Sequence, residues 1–152
     1  MQHEWDNSDD ALYLGPATDT EALIRCSADE NNIYLLVEVT DASANDSDQI
    51  HMTLSGEDFG YGSRRLTLNR SGLTKAEWYD GGWETIPSSV SGKVLCDSAV
   101  GYIAEIAIPR AELDIRDGRL LFNAVFCKAS GMQSGISGSQ TTEDWVYIKG
   151  LK

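Results

Sequence analysis

NNIYLLVEVTDASANDSDQIHMTL, residues 31–54, decides the fold. Ile33, Leu35, Val37 and Val39 fall on one side of an extended chain, and Tyr34, Leu36, Glu38 and Thr40 on the other. A period of two is the signature of a strand with one face buried. After an acidic loop, Ile50, Met52 and Leu54 resume the pattern, with His51, Thr53 and Ser55 opposite. The loop concentrates Asp41, Asn45, Asp46 and Asp48. Such a group of hard oxygens at a strand end is either a solvated turn or a calcium site, calcium taking roughly six to eight oxygen ligands. The spacing is not that of an EF-hand, whose glycine at the sharp turn and distal glutamate are missing. Asp6, Asp9 and Asp10 add ligands only if the N-terminus folds back.

Outward from this stretch the same period recurs. Glu21–Ala28 reads as a strand, joined to the central one by the turn Asp29-Glu30-Asn31-Asn32. Gly15-Pro16 and Ser71-Gly72 are turn signals. Arg65–Asn69 alternates. In Lys75–Trp83 the run Asp80-Gly81-Gly82 sits between aromatic residues and predicts a hairpin. Pro87–Gly92 reads as a serine-rich loop and Lys93–Leu95 as a short strand. Gly101–Ile108 is a strand stopped by Pro109, with one helical turn after it at Arg110–Leu113. Leu120–Lys128 is apolar on both faces and therefore central. Residues 130–142 read as a loop, and Trp145–Ile148 as a last strand. About nine or ten short strands and no long helix predict an antiparallel β-sandwich of jelly-roll or immunoglobulin-like type. No repeat or linker interrupts residues 1–152, so one domain is expected.

The 152 residues suffice for a real core. No apolar run approaches the roughly 18–20 residues of a membrane span, and no leader pattern is visible. A mature secreted domain and a cytoplasmic one are equally compatible with MQHEWDNSDD. The net charge of −12 argues against nucleic acid, anionic membranes and heavily sulfated glycans. It leaves neutral ligands and cations, or plain solubility. Cys26, Cys96 and Cys127 match no zinc spacing and lie in or beside apolar segments, as buried free thiols do; one disulfide is the alternative.

The segments ENNIYLLVEVTD, SDQIHMTL, RLTLNRSG, GYIAEIAIPRAEL and GRLLFNAVF, in this order, resemble the family 9 carbohydrate-binding modules, of the wider DOMON-like group of β-sandwiches. The resemblance covers residues 18–128 and extends to a terminal strand at 145–150. It implies a non-catalytic, extracellular or cell-surface module, attached to a glycan-active enzyme and often carrying structural calcium. It also implies two tryptophans sandwiching a sugar over one sheet face, with Glu, Arg and Gln reading its hydroxyls. Ala44-Asn45-Asp46 stands where the first tryptophan would be, and His51, Thr67 and Val125 stand at the polar positions. Trp145 lies close to the place of the second tryptophan, with a core role as the alternative. A sandwich that has lost the clamp and packs against an adjacent domain of a parent protein is the second functional reading.

Trp78, Tyr79 and Trp83 flank the predicted hairpin turn, where they form either a sugar-stacking platform or a cross-strand aromatic pair. His51, on the polar side of its strand, either bonds neighbouring side chains or donates to a sugar hydroxyl. Some DOMON relatives hold haem through Met and His. Here His51 and Met52 are adjacent on a strand and point to opposite faces, so no haem is expected. No nucleophile elbow or metal-hydrolase motif is present, and a compact sandwich leaves little room for paired carboxylates across a cleft. A binding domain rather than an enzyme is expected.

Overall fold

The structure, a computed structural model, describes residues 12–17, 20–41, 47–56, 62–85, 88–115, 118, 120–127, 133–135 and 146–148. Among these lie twelve strands. They are β1 (Leu12–Ala17), β2 (Thr20–Ala28), β3 (Asn32–Asp41), β4 (Gln49–Ser55), β5 (Arg64–Asn69) and β6 (Gly72–Tyr79). After them come β7 (Trp83–Thr85), β8 (Ser91–Ser98), β9 (Gly101–Pro109), β10 (Leu120–Cys127), β11 (Gln133–Gly135) and β12 (Val146–Ile148). One 3-10 turn, Arg110–Glu112, follows β9. All pairings are antiparallel. The first sheet runs β1-β2-β3-β9-β8, the second β11-β10-β4-β5-β6-β7, with β12 also on β10.

The period-two residues close the space between the sheets. Ile33, Leu35 and Val37 of β3 and Ala104, Ile106 and Ile108 of β9 face Ile50, Met52 and Leu54 of β4, Leu66 and Leu68 of β5, and Phe122, Ala124 and Phe126 of β10. All are buried. Burying each large side chain contributes about 2 kcal/mol relative to leaving it in water. The face of β10 turned away from this core carries Leu121 and Asn123, also buried, as its central position requires.

Two side chains fasten the ends. Asp29 Oδ1 accepts the backbone N–H groups of Asn31 and Asn32 at 2.8 Å each, while the Tyr34 hydroxyl donates to Oδ2 at 2.8 Å. These bonds hold the Asp29 carboxyl below its ordinary pKa and fix the β2–β3 turn. At the other end Arg70, just past β5, donates to Asp97 Oδ1 at 2.6 Å, to the Ser98 carbonyl at 2.7 Å and to the Asp41 carbonyl at 3.0 Å. It ties a turn of the second sheet to the ends of β3 and β8 in the first.

Three local departures have physical reasons. Gly15-Pro16 does not end a segment but sits inside β1, where the register slips between Leu14 and Ala17; an edge-strand bulge tolerates proline's missing N–H. β8 starts inside the serine-rich stretch and runs eight residues. Its burial pattern is exposed almost throughout, so backbone pairing with β9 holds it without apolar alternation. β11 lies within the stretch read as a loop. The three cysteines are free thiols, and Cys96, on β8, is exposed rather than buried.

Candidate functional site

The face of the second sheet turned away from the core is polar. Register sets Asn123 of β10, Thr53 of β4, Arg65 of β5, Glu77 of β6 and Thr85 of β7 in one row. Val125, His51, Thr67 and Lys75 form the row beside it. Although Thr53, Thr67, Glu77 and Asn123 point away from the core, each is buried.

Arg65 and Glu77 are the centre of this face. Nε donates to Oε1 at 3.1 Å and Nη2 to Oε2 at 3.2 Å, the parallel two-bond fork of a planar guanidinium on a carboxylate. The Arg65 guanidinium carbon also lies 4.5 Å from the Trp83 ring centroid. Tyr79 meets Trp83 edge to face at 5.3 Å. Stacking on the indole and bonding to Glu77 hold the guanidinium in one plane. Among the described strand residues of this face, Glu77 is the single carboxylate, so the second acid of a glycosidase pair is not found there.

His51 is half-buried beside this pair. Its Nε2 lies 3.4 Å from Gln49 Oε1, and its Nδ1 3.7 Å from the Cys127 sulfur. Burial pushes the imidazole pKa down, and Arg65 adds to that; Glu77 opposes it and Lys75 reinforces it. Burial pushes the Cys127 thiol up, with Arg65 opposing. Both groups are therefore driven toward their neutral forms. The consistent assignment has the thiol donating to Nδ1 and Nε2–H donating to Gln49. A thiol held protonated is the opposite of an activated nucleophile.

The structure divides the residues singled out from sequence. Tyr79, Trp83 and His51 share the polar face. Trp78 alternates to the other side of β6, where it pairs with Arg64 and Glu84. It is 40% exposed and carries the Arg64 guanidinium 4.6 Å from its ring centroid. Arg64 Nε donates to the Glu112 carbonyl at 3.0 Å, and its buried Nη1 has no hydrogen-bond partner; the indole supplies the electrostatic contact there. Trp145 lies outside the described residues. Arg65, Glu77 and Asn123 were not singled out. RLTLN marks a strand, but the Arg65–Glu77 pairing depends on the β5–β6 register, and that register slips after Thr67.

Of the acidic loop, Asn45 and Asp46 lie outside the described residues, as do Asp6, Asp9 and Asp10. Asp41 and Asp48 come together: 3% and 8% exposed, both line one small cavity with Thr20, Gln49 and Tyr102. Both carboxylates, after burial, help push the Tyr102 hydroxyl well above its ordinary pKa. The donors around this cavity are oxygens, the ligand type calcium takes. No cluster of three or more His, Cys, Asp or Glu side chains placed to hold a metal exists among the described residues.

Two antiparallel sheets stacked on one core, the second with a sheltered polar outer face, make a β-sandwich. Solved structures with this fold belong to carbohydrate-binding module family 9. One, from Caldicellulosiruptor kristjanssonii in complex with cellotriose, matches with a TM-score of 0.66 and 19% identity over 95% of this chain and 83% of that one. Another from the same organism, in complex with glucose, matches with a TM-score of 0.64 and 18% identity over 95% and 85%. The likeness establishes the fold. No family model matches the chain, and no curated protein does.

Proposed function

We propose that this domain is a non-catalytic carbohydrate-binding module and that its ligand surface is the polar face of the second sheet. The Arg65–Glu77 fork stacked on Trp83 carries the reading. Adjacent sugar hydroxyls match such a pair, one accepting from the guanidinium and its neighbour donating to the carboxylate. Asn123 and His51 offer further polar contacts, and Trp83 and Tyr79 an apolar border for C–H faces. The sugars bound by the two structural neighbours agree with this chemistry. A shallow site of this kind binds weakly. Titration calorimetry or NMR with cellotriose and glucose tests it. Weak saturable binding is expected, reduced about three- to tenfold in Trp83→Ala, with near-UV circular dichroism confirming the fold. A glycan panel without any response ends the proposal.

One observation favours a second reading. Trp78 and Trp83 each already stack an arginine of their own chain, as in a sandwich whose clamp has been given over to packing. Such a domain would dock on a neighbouring domain of a parent protein, and co-purification of that domain without any glycan response would select it. In the module reading the domain works outside the cell, attached to a glycan-active enzyme; secretion of the full-length product checks this.

Calcium held by Asp41 and Asp48 fits the cavity that they line, the ion supplying only cross-linking of β3 to the start of β4. A higher Tm in calcium than in chelator, lost in Asp48→Asn, is expected by mass action on the folded state. Identical melting curves would remove the ion from the account.

A further inference from the structure

The protein carries a net charge of −12, yet the described strand residues of the second sheet's polar face carry a positive excess. On its described strand residues the fixed charges are Arg65, Glu77 and Lys75. The fork cancels Arg65 against Glu77, which leaves the Lys75 ammonium in excess. Lys75 is exposed, and no carboxylate within ion-pair distance of it occurs among the described residues. It stands across from Thr67, itself across from His51, so the three form one row beside the Arg65–Glu77 pair.

The His51 ring senses the sign of the local field. Among charges, Arg65 lowers its pKa more than Glu77 raises it, and Lys75 lowers it further. Together these three charges favour the neutral ring, as a cationic excess beside it does. The acidity of the rest of the protein does not erase it, because at physiological salt charges are screened over about 8 Å. A sugar seated on this face meets the nearby cations first.

We propose that Lys75 gives this face a preference for sugars that carry a carboxylate, the uronic acids, over their neutral counterparts. The hydroxyls meet the Arg65–Glu77 pair, and the carboxylate meets the Lys75 ammonium. The inference rests on the carbohydrate reading above and adds the class of sugar to it.

The test compares methyl glucuronide with methyl glucoside, which differ at the carboxylate alone, by calorimetric or NMR titration of the whole domain. In dilute buffer the uronide binds about fivefold tighter, the scale of one exposed ion pair. In about 1 M salt, where screening acts over about 3 Å, the ratio falls to about one. Lys75→Gln brings the ratio to about one in dilute buffer, and Lys75→Glu inverts it. A wild-type ratio of one or less, or a ratio unmoved by Lys75→Gln, overturns the preference while glucoside binding leaves the carbohydrate reading standing. Absence of binding by both sugars overturns the preference, and silence of the glycan panel as well ends the carbohydrate reading.

Discussion

Glu77 is 7% exposed and its partner Arg65 is sheltered by Trp83. Replacing it by Gln removes the charge but keeps the shape, leaving a partly buried guanidinium without its anion. A loss of about 1–2 kcal/mol is expected in urea unfolding, between the values for exposed and fully buried pairs. A shift in Trp83 fluorescence should accompany it. His51 sets a pH dependence. Its folded pKa lies below the ordinary 6.5, so the unfolded chain takes up the proton first as pH falls. The contribution is complete above about 6.5 and is lost as pH drops through the folded value. Melting temperatures should fall across that window in the wild type and less so in His51→Gln. His51 was visible in the sequence because alternation assigns its face. The Arg65–Glu77 pair was not, because twelve residues and a register slip separate them.

At the level of the strand, Gly101 opens β9 directly against β3. A Cβ there would overlap the Val39 carbonyl oxygen. Gly101→Ala should therefore cost about 2 kcal/mol or more, as forced overpacking does, and the check is the denaturation midpoint. The opposite turn depends on Asp29, whose depressed pKa means that its stabilisation is present at neutral pH and fades as pH falls below about 3.8. Asp29→Ala should loosen the β2–β3 turn, seen as faster amide exchange at Asn31 and Asn32. Strands that turn an apolar face to the core, β2 to β5 and β9, were legible within a residue or two, since burial there demands alternation, and β10 was legible from its run of apolar residues on both faces. β11 was not, and β8 was legible only over Lys93–Leu95. β8 lies almost wholly in water, so its sequence is free to be polar and resembles a loop; its pairing with β9 is a backbone matter that side chains do not record.

Across the whole molecule, two sheets share one core between them, and Phe122 is completely buried within it. Phe122→Ala should destabilise by about 3–5 kcal/mol, a cavity that neither sheet can close alone, with one cooperative transition retained in calorimetry. The sandwich itself followed from the count and period of strands. The contents of its polar face required the order of strands in the second sheet, where β10 lies beside β4 and Asn123 pairs with Thr53, 70 positions earlier in the chain. That placement sets Asn123 in one row with Arg65 and Glu77, with Thr53 between.

β8 ends the first sheet with a row of backbone groups that no further strand among the described residues receives. Such a border invites a second molecule to add itself and start a fibre. Here the register breaks between Val94 and Cys96, with Leu95 displaced outward and Lys93 and Asp97 on either side. A kinked, charged border accepts no straight newcomer, so concentrated solutions of this protein should remain free of amyloid where a β8 regularised by deleting Leu95 would seed it.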